Sequence, residues 1–184
     1  QDVRRWKELV RYYKGGLLVD IGCLDSLVMQ YANKKYPNHR KIGIDVAPEA
    51  INELNKIEQK KHGKYPTIQY RVGDLYKLNL YDENADYAVF GEVLEHLERP
   101  ADAIKEAFRV LKPGGVLAIS VPYMEEVEPG ACDADRHLWS YSKSDIIDLV
   151  KPYSTNIKVK ILRSQWFPKY KYCWPQLLVW SWKQ

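Results

Sequence analysis

Short apolar runs typical of β-strands alternate with helical segments along most of this chain, and this alternation limits the fold more than any other feature. Five strands are predicted, at residues 17–21, 41–46, 67–72, 85–90 and 116–121. Helices are predicted at 3–14, about 25–35, 48–61, 100–112 and 142–150. Strands that alternate with helices form a parallel sheet with helices on both faces, which is a doubly wound α/β fold.

The chain closes with two further strand-like runs, at 156–164 and 176–183, with no helical segment between them. Strands that lack a crossover helix pair antiparallel, so we expect this pair at one edge of a seven-stranded, mostly parallel sheet. A length of 184 residues suits one domain with a full core. We predict a single domain over 1–184, with an N-terminal helix (1–14), a substrate loop (122–140) and a closing strand pair (156–183).

Composition and charge exclude several classes of protein. Apolar residues make up 46% of the chain and charged residues 28%, which is an ordinary balance for a globular domain. No apolar run approaches the roughly 18 residues of a membrane span, and a net charge of +4 alone does not indicate nucleic acid. Three widely spaced cysteines fit neither a disulfide framework nor a cysteine zinc site. We therefore expect a cytoplasmic protein with no membrane partner.

The loop after the first strand, in the stretch GGLLVDIGCLDS (15–26), indicates a cofactor site. Gly22 lets the backbone turn tightly and approach a ligand, and Asp45 ends the second strand, where a carboxylate can hold both hydroxyls of a ribose. Leu24 and Ser26 stand where a pyrophosphate-binding turn has glycines. The pattern favours a cofactor with a ribose and no phosphate, and it disfavours a nucleotide-dependent oxidoreductase.

Five motifs in order resemble those of class I S-adenosylmethionine-dependent methyltransferases, and the resemblance covers nearly the whole chain. LLVDIGCLDS corresponds to the first motif of that family, IGIDV to the second, and GDLYKL to the segment beside the adenine. ADYAVFGEVLEHL corresponds to the fourth strand with its loop, and VLKPGGVLAISVP to the turn into the fifth strand. The small-molecule, ubiquinone-type branch is the most similar. The resemblance implies a Rossmann-like fold with a reversed seventh strand, and S-adenosylmethionine as the methyl donor, with S-adenosylhomocysteine as the product.

The resemblance also implies which residues contact the methionine side of the cofactor. Asp20 and Gly22 line that side, and Cys23 contributes its backbone. Gly91 and Glu92 cap the crevice at the end of the fourth strand.

On the adenosine side, the resemblance assigns four residues. Asp45 holds the ribose hydroxyls, and Val46 packs beside the adenine. Asp74 accepts a hydrogen bond from the adenine amine, while the backbone N–H of Leu75 faces the ring. As an acid at the rim of a crevice, Asp45 is expected to contribute little to the stability of the free protein.

Two histidines are candidate catalytic residues. Methyl transfer is an in-line displacement that depends mainly on positioning, and a hydroxyl acceptor also benefits from a general base. His137 lies in the long loop 122–140 and is the first candidate, with His96 second. Long loops in compact domains are often functional, and this one follows the carboxyl end of a strand.

The acceptor is predicted to be a small molecule methylated at a hydroxyl or an amine. The fourth strand ends in FGEVLEH and lacks the Asn/Asp-Pro-Pro-Tyr loop that relatives use for base amines, so DNA is not expected as a partner. EVLEHL and HLWSYS also resemble the 2′-O-methyltransferases of small-RNA 3′ ends, and the aromatic and basic stretch SQWFPKYKYCWP (164–175) is of a kind that stacks bases. RNA is therefore the alternative acceptor. A non-catalytic nucleoside-binding module is the alternative from another class.

A metal site is the alternative role for the region around the histidines. If a helical turn begins at Glu92, then Glu95 and His96 share its face, and His137 reaches them from the loop after the fifth strand. Two carboxylates and two imidazoles suit manganese, zinc, iron or cobalt better than magnesium. The simpler interpretation places both carboxylates in the first turn of a helix, where they offset its dipole. On that interpretation we predict no metal ligands.

Overall fold

The computed structural model describes residues 3–24, 27–63, 66–124, 137–163 and 175–184. The described helices are α1 (Val3–Leu9), α2 (Leu27–Lys35), α3 (Pro48–His62), α4 (Pro100–Val110) and α5 (Lys143–Val150). The described strands are β1 (Leu18–Ile21), β2 (Lys41–Asp45), β3 (Ile68–Val72), β4 (Ala85–Gly91), β5 (Leu111–Pro122), β6 (Asn156–Leu162) and β7 (Gln176–Trp182). A short 3₁₀ helix, Leu94–His96, follows β4. The predicted alternation of strands and helices is confirmed.

The described strands form one seven-stranded sheet in the order β3-β2-β1-β4-β5-β7-β6. β1 pairs in parallel with β2 and β4, whereas β7 runs antiparallel to both β5 and β6. The closing pair is therefore antiparallel as predicted, with β7 inside the sheet and β6 at its edge. The strand order reverses between β1 and β4, which opens a crevice outside the carboxyl ends of these strands.

Two apolar layers cover the two faces of the sheet. Successive side chains of β1 point to opposite faces, so Leu18 belongs to one layer and Val19 to the other. Helices α1, α2 and α3 pack on the Leu18 face, and α4 and α5 pack on the Val19 face. Both Leu18 and Val19 are fully buried, as expected for central parallel strands that are covered on both sides. Among the described residues, no helix combines the length and apolar character needed to cross a membrane.

The start of α5 is a capping box formed by Ser142 and Asp145. The backbone N–H of Ser142 donates to the Asp145 carboxylate at 2.7 Å, and the backbone N–H of Asp145 donates to the Ser142 hydroxyl at 3.4 Å. These reciprocal bonds satisfy two donors at the helix start and fix where the loop after β5 ends.

Two element boundaries differ from the prediction by more than two residues. The first helix ends at Leu9 rather than at residue 14, because the N–H groups of Arg11 and Tyr13 donate three residues back and tighten the chain into turns. Tyr13 is 1% exposed, and its hydroxyl donates to the Gly16 carbonyl at 2.9 Å. The fifth strand begins at Leu111 rather than 116, because Leu111 already pairs with the start of β4 and a register shift follows it. Helix α4 accordingly ends at Val110.

Some predictions fall outside the described residues. These are the beginning of the second helix at 25–26, the middle of the predicted substrate loop at 125–136, and most of the aromatic and basic stretch at 164–174.

Candidate functional site

The residues predicted for the methionine side of the cofactor lie together at the carboxyl ends of β1, β4 and β5. Asp20 pairs in register with Gly43 of β2 and Val89 of β4, and it is 3% exposed. Gly91 ends β4 opposite Ser120 of β5. The predicted positions of Asp20 and Gly91 therefore flank the point where the strand order reverses.

The turn after β1 is held against β2 and against the segment after β4. The N–H groups of Gly22 and Cys23 both donate to the Ile44 carbonyl, at 2.8 and 3.2 Å. Gly22 has a φ of +79°, and a Cβ at this position would lie 2.6 Å from a methyl group of Val93. Only glycine meets both the left-handed backbone conformation and the close packing on Val93. The side chain of Cys23 is buried.

Asp45 connects this turn to the end of β2. Its Oδ2 accepts the backbone N–H of Leu24 and its Oδ1 accepts that of Ala47, both at 3.0 Å. Asp45 is 7% exposed, so it lies inside the structure rather than at the rim of the crevice. A carboxylate oxygen has two lone pairs, so both oxygens retain the capacity to accept a ribose hydroxyl. Val46 follows with 61% of its surface exposed, which leaves an apolar wall next to the carboxylate.

The turn after β3 lies beside the same carboxyl end of β2. The N–H of Gly73 donates to the Asp45 carbonyl at 2.9 Å, which joins the two segments. The next residue, Asp74, is exposed and accepts the backbone N–H of Tyr76 at 2.8 Å through Oδ1. Leu75 is buried and anchors the turn in the core. The structure therefore brings together the four residues predicted for the adenosine side.

Glu92 has a different conformation from the one expected. Its φ is +60°, and its N–H donates to the Ser120 carbonyl at 3.0 Å, so it extends the contact between β4 and β5. The helical turn begins at Leu94, two residues later, and is a single 3₁₀ turn. The prediction that Glu92 begins a helical turn together with Glu95 is wrong, and so is the interpretation that both carboxylates offset the dipole of that helix.

Glu92 instead pairs with Arg5 of α1. A terminal nitrogen of the Arg5 guanidinium lies 3.2 Å from Glu92 Oε2. Burial raises the pKa of Glu92, and the positive charge of Arg5 and the neighbouring polar side chains of Ser120 and Gln176 oppose that rise, as does His137. Arg5 has no signal in the sequence, because an arginine on the polar side of a short helix looks like any solvated residue.

Glu95, His96 and His137 form a compact cluster beyond the end of β4. One ligand atom from each lies within 4.8 Å of the other two. The imidazole rings of His96 and His137 are 4.8 Å apart between centroids, at an interplanar angle of 71°. Glu95 is 1% exposed, whereas His96 lies at the surface and His137 is half-buried. The two predicted catalytic histidines are therefore neighbours, and the carboxylate beside them is buried.

Backbone hydrogen bonds hold the His137 segment on the 3₁₀ turn. The N–H groups of Leu138 and Trp139 donate to the Glu95 carbonyl, at 2.6 and 3.3 Å. The indole N–H of Trp139 donates to the Leu97 carbonyl at 2.7 Å. The proximity of His137 and Glu95 therefore depends on main-chain contacts of the residues next to each.

The cluster of Glu95, His96 and His137 is suited to two kinds of chemistry. A neutral imidazole accepts a proton from a bound hydroxyl, which is general-base catalysis. One carboxylate and two imidazoles are also a ligand set for manganese, zinc, iron or cobalt.

Comparison with known proteins identifies the family. The family described as "Methyltransferase domain" matches residues 19–119, more than half of the chain. The chain belongs to this methyltransferase family. The matched residues include the turn after β1, the carboxyl ends of β2 and β4, and most of β5.

Relatives and solved structures agree with this family. A probable S-adenosylmethionine-dependent methyltransferase of Mycolicibacterium smegmatis is 42% identical over 91 residues, which are 50% of this chain and 33% of that protein. A ubiquinone/menaquinone biosynthesis C-methyltransferase of Desulfotalea psychrophila is 26% identical over 116 residues, which are 61% of this chain and 45% of that protein. The crystal structure of a SAM-dependent methyltransferase from Aquifex aeolicus has a TM-score of 0.71 at 19% identity, covering 100% of this chain and 94% of that chain. The aligned part of this methyltransferase spans about a third of the length of the first curated relatives that it matches.

S-adenosylmethionine is the cofactor of this methyltransferase family, and the described residues fit it. Asp45 retains lone pairs for two ribose hydroxyls, and Val46 leaves an apolar wall beside it. The absence of a side chain at Gly22 leaves the backbone after β1 open to close approach.

Proposed function

We propose that this methyltransferase moves the methyl group of S-adenosylmethionine to a hydroxyl or amine of a small-molecule acceptor, with His137 and His96 beside that acceptor. The observation that carries the proposal is the pairing of the two imidazoles, 4.8 Å apart, beyond the carboxyl end of β4. The residues assigned to the ribose and the adenine lie at the carboxyl ends of β2 and β3, whereas the histidines lie beyond β4, near the methionine side of the crevice.

Positioning provides most of the rate in this reaction. The bound cofactor supplies an electrophilic methyl group on a sulfonium sulfur. The chain orients the acceptor and excludes water, and well-oriented reactants gain about 7–11 kcal/mol over a bimolecular encounter. A base that accepts the proton of a hydroxyl adds about 10²–10⁴-fold. His137 is the first candidate for this base, because the two residues that follow it are bonded to the Glu95 carbonyl.

Apolar side chains near the histidines support an acceptor with an apolar part. Met124, Leu138 and Trp139 are 56%, 38% and 44% exposed. Met124 belongs to the same region, because its N–H donates to the Tyr141 carbonyl at 3.0 Å. The relative from Desulfotalea psychrophila is named for ubiquinone and menaquinone biosynthesis, which supports a small-molecule acceptor here as well.

A methyl-transfer screen tests the proposal. Small hydroxylated and amino compounds are incubated with S-adenosylmethionine in parallel with short RNAs, and S-adenosylhomocysteine formation is measured. We expect turnover with a small molecule, and His137→Gln should lower that turnover about 10²–10⁴-fold while S-adenosylhomocysteine still binds. His39→Gln is the matched control. His39 accepts the Gly16 N–H near the amino ends of β1 and β2, which is the opposite end of the strands from the crevice. Transfer to RNA alone contradicts the proposal, and cofactor binding without transfer to any acceptor favours a non-catalytic binding module.

The cluster of Glu95, His96 and His137 favours a second candidate, a metal-dependent transfer to vicinal hydroxyls such as those at an RNA 3′ end. Its ligand atoms lie within 4.8 Å of one another, close enough for one ion to bind all three. Such an ion lowers the pKa of a bound hydroxyl and so replaces a general base. Glu92 is not part of this cluster, and its carboxylate pairs with Arg5.

Metal analysis separates the two candidates. Elemental analysis of the purified protein and turnover after chelation are measured together with the Glu95→Gln variant. Loss of turnover on chelation, its return with manganese, zinc, iron or cobalt, and a matching loss in Glu95→Gln support the metal-dependent reaction. Turnover that resists chelation leaves His137 and His96 as bases.

A further inference from the structure

Four buried polar atoms surround the ion pair between Arg5 and Glu92. They are Arg5 Nε, Glu92 Oε1, Ser120 Oγ and Gln176 Oε1, and none makes a hydrogen bond of full geometry among the described residues, although the Ser120 and Gln176 side chains lie beside the Glu92 carboxylate. They come from α1, the turn after β4, β5 and β7, which are distant in sequence. Buried polar atoms are nearly always bonded in folded proteins, so a cluster of exceptions needs an explanation.

The four side chains belong to one place in the fold. Arg5 contacts Glu92 at 3.2 Å, and the N–H of Glu92 donates to the Ser120 carbonyl at 3.0 Å. Ser120 pairs with Leu178 in the sheet, and Gln176 lies two residues before Leu178, so both side chains point to the same face. That face is the one on which α1 packs, since Leu178 and α1 contribute to the same apolar layer.

The chemistry of these atoms matches an α-amino acid group. Glu92 Oε1 and Gln176 Oε1 are hydrogen-bond acceptors, which suit an ammonium. Arg5 Nε is a donor and the Ser120 hydroxyl can donate, which suit a carboxylate. An ammonium and a carboxylate on one carbon therefore complement all four side chains. S-adenosylmethionine carries this group at its methionine end.

We infer that Arg5, Glu92, Ser120 and Gln176 bind the amino-acid end of S-adenosylmethionine. The location supports this assignment, because Gly22 of the cofactor turn packs directly on Val93, the residue after Glu92. The Arg5 and Glu92 side chains are 26% and 21% exposed, so the ion pair is partly open to the surface. Side chains from α1, β5 and β7 would then provide contacts that a glycine-rich turn makes through its backbone in other nucleotide-binding folds.

The presence of Leu24 in place of a glycine becomes understandable on this basis. A turn with fewer glycines offers fewer close backbone contacts to the methionine end. The charged pair makes such contacts unnecessary, because bonds to charged groups are stronger than bonds between neutral ones.

Calorimetry with two ligands tests the inference. S-adenosylhomocysteine carries the amino-acid group, and 5′-methylthioadenosine has the same nucleoside and thioether without it. We expect Arg5→Gln and Glu92→Gln each to weaken S-adenosylhomocysteine binding by about 10–100-fold. Binding of 5′-methylthioadenosine should change by less than about twofold in both variants, since no bond to it is lost.

Controls keep the result interpretable. Arg4→Gln changes the neighbouring arginine of the same helix and should alter neither affinity. Retained binding of 5′-methylthioadenosine shows that a variant is folded. Equal weakening of both ligands, or no weakening of either, overturns the inference. The inference rests on the cofactor of the proposed reaction and not on its acceptor, so a failed acceptor screen with intact S-adenosylhomocysteine binding contradicts only the proposed function.

Discussion

The carboxylate of Asp45 accepts the backbone N–H of Leu24 at 3.0 Å, so the end of β2 holds the turn that follows β1. The second carboxylate oxygen accepts the N–H of Ala47 at the start of α3. Asp45 therefore has a structural role in the free protein, in addition to the role toward the ribose that the resemblance implies.

Asp45→Ala should reduce both stability and cofactor affinity. Removal of a charged acceptor from two backbone donors is expected to lower the free energy of unfolding by about 1.5–3 kcal/mol, and loss of the ribose contacts should weaken S-adenosylhomocysteine binding by about the same amount. Urea unfolding and calorimetry measure the two effects. Glu49→Gln, which removes an exposed carboxylate from the first turn of α3, is the control and should cost at most about 1 kcal/mol. If the free Asp45→Ala protein is as stable as the wild type, the expectation from the sequence is correct and this carboxylate matters only for ligand binding.

Gly22→Ala should destabilise the turn after β1 for two separable reasons. The left-handed backbone conformation costs a non-glycine residue about 1–2 kcal/mol, and the new methyl group would overlap Val93. Gly114→Ala is the matched control, because Gly114 also has a positive φ but nothing lies within 4 Å of the added Cβ. Unfolding free energies of Gly22→Ala, Val93→Ala and the double variant measure the overlap. If the double variant shows no favourable coupling, the close contact is not what requires glycine.

The fold could be predicted from the sequence because its main determinants are local. Runs such as 85–90 have the composition of buried strands. The element boundaries that were predicted wrongly lie where tertiary contacts override the local preference of the sequence. Leu111 continues a helical pattern in the sequence, yet it pairs with Ala85 of β4 and is extended. The first helix ends early because Tyr13 turns into the core.

Site residues could be located from the sequence where they stand at or directly after the end of a predicted strand. Asp45 and Gly22 follow apolar runs, so their location at the crevice follows from the parallel sheet. Glu92 was misplaced because its backbone conformation depends on a contact with Ser120 of another strand. Arg5 was missed for the same physical reason, since its partner is distant in sequence and no periodic pattern connects them.

Lys41 should make stability depend on pH in mildly basic solution. Burial lowers the pKa of Lys41 to about 8, and the charge of Glu58 only partly opposes this effect. The unfolded chain keeps this proton up to an ordinary lysine pKa of 10.5, so between these values the unfolded state binds more protons and stability rises with pH. Lys41→Met removes the effect, and urea unfolding from about pH 7 to pH 9.5 compares the two proteins. Parallel pH profiles of wild type and Lys41→Met would contradict the prediction.

Trp139→Phe should lower turnover without changing cofactor affinity. The indole N–H donates to the Leu97 carbonyl at 2.7 Å and, with the backbone bonds to Glu95, holds the His137 segment on the 3₁₀ turn. Phenylalanine keeps an aromatic ring but lacks the donor, and one hydrogen bond contributes about 0.5–1.5 kcal/mol. Turnover should therefore fall about two- to tenfold, if productive acceptor geometry depends on His137 being held in place.

The loosening of that segment can also be measured without an acceptor. Ring signals of His137 in NMR spectra should broaden in Trp139→Phe, because the released imidazole then exchanges between positions on the μs–ms timescale. His39 provides the internal reference and should keep its line width, because it accepts the Gly16 N–H at the amino ends of the strands, away from the crevice. A parallel fall in S-adenosylhomocysteine affinity would instead mean that Trp139 supports the whole crevice. Sharp His137 signals together with normal turnover would mean that the backbone bonds to Glu95 are sufficient to place His137 beside His96.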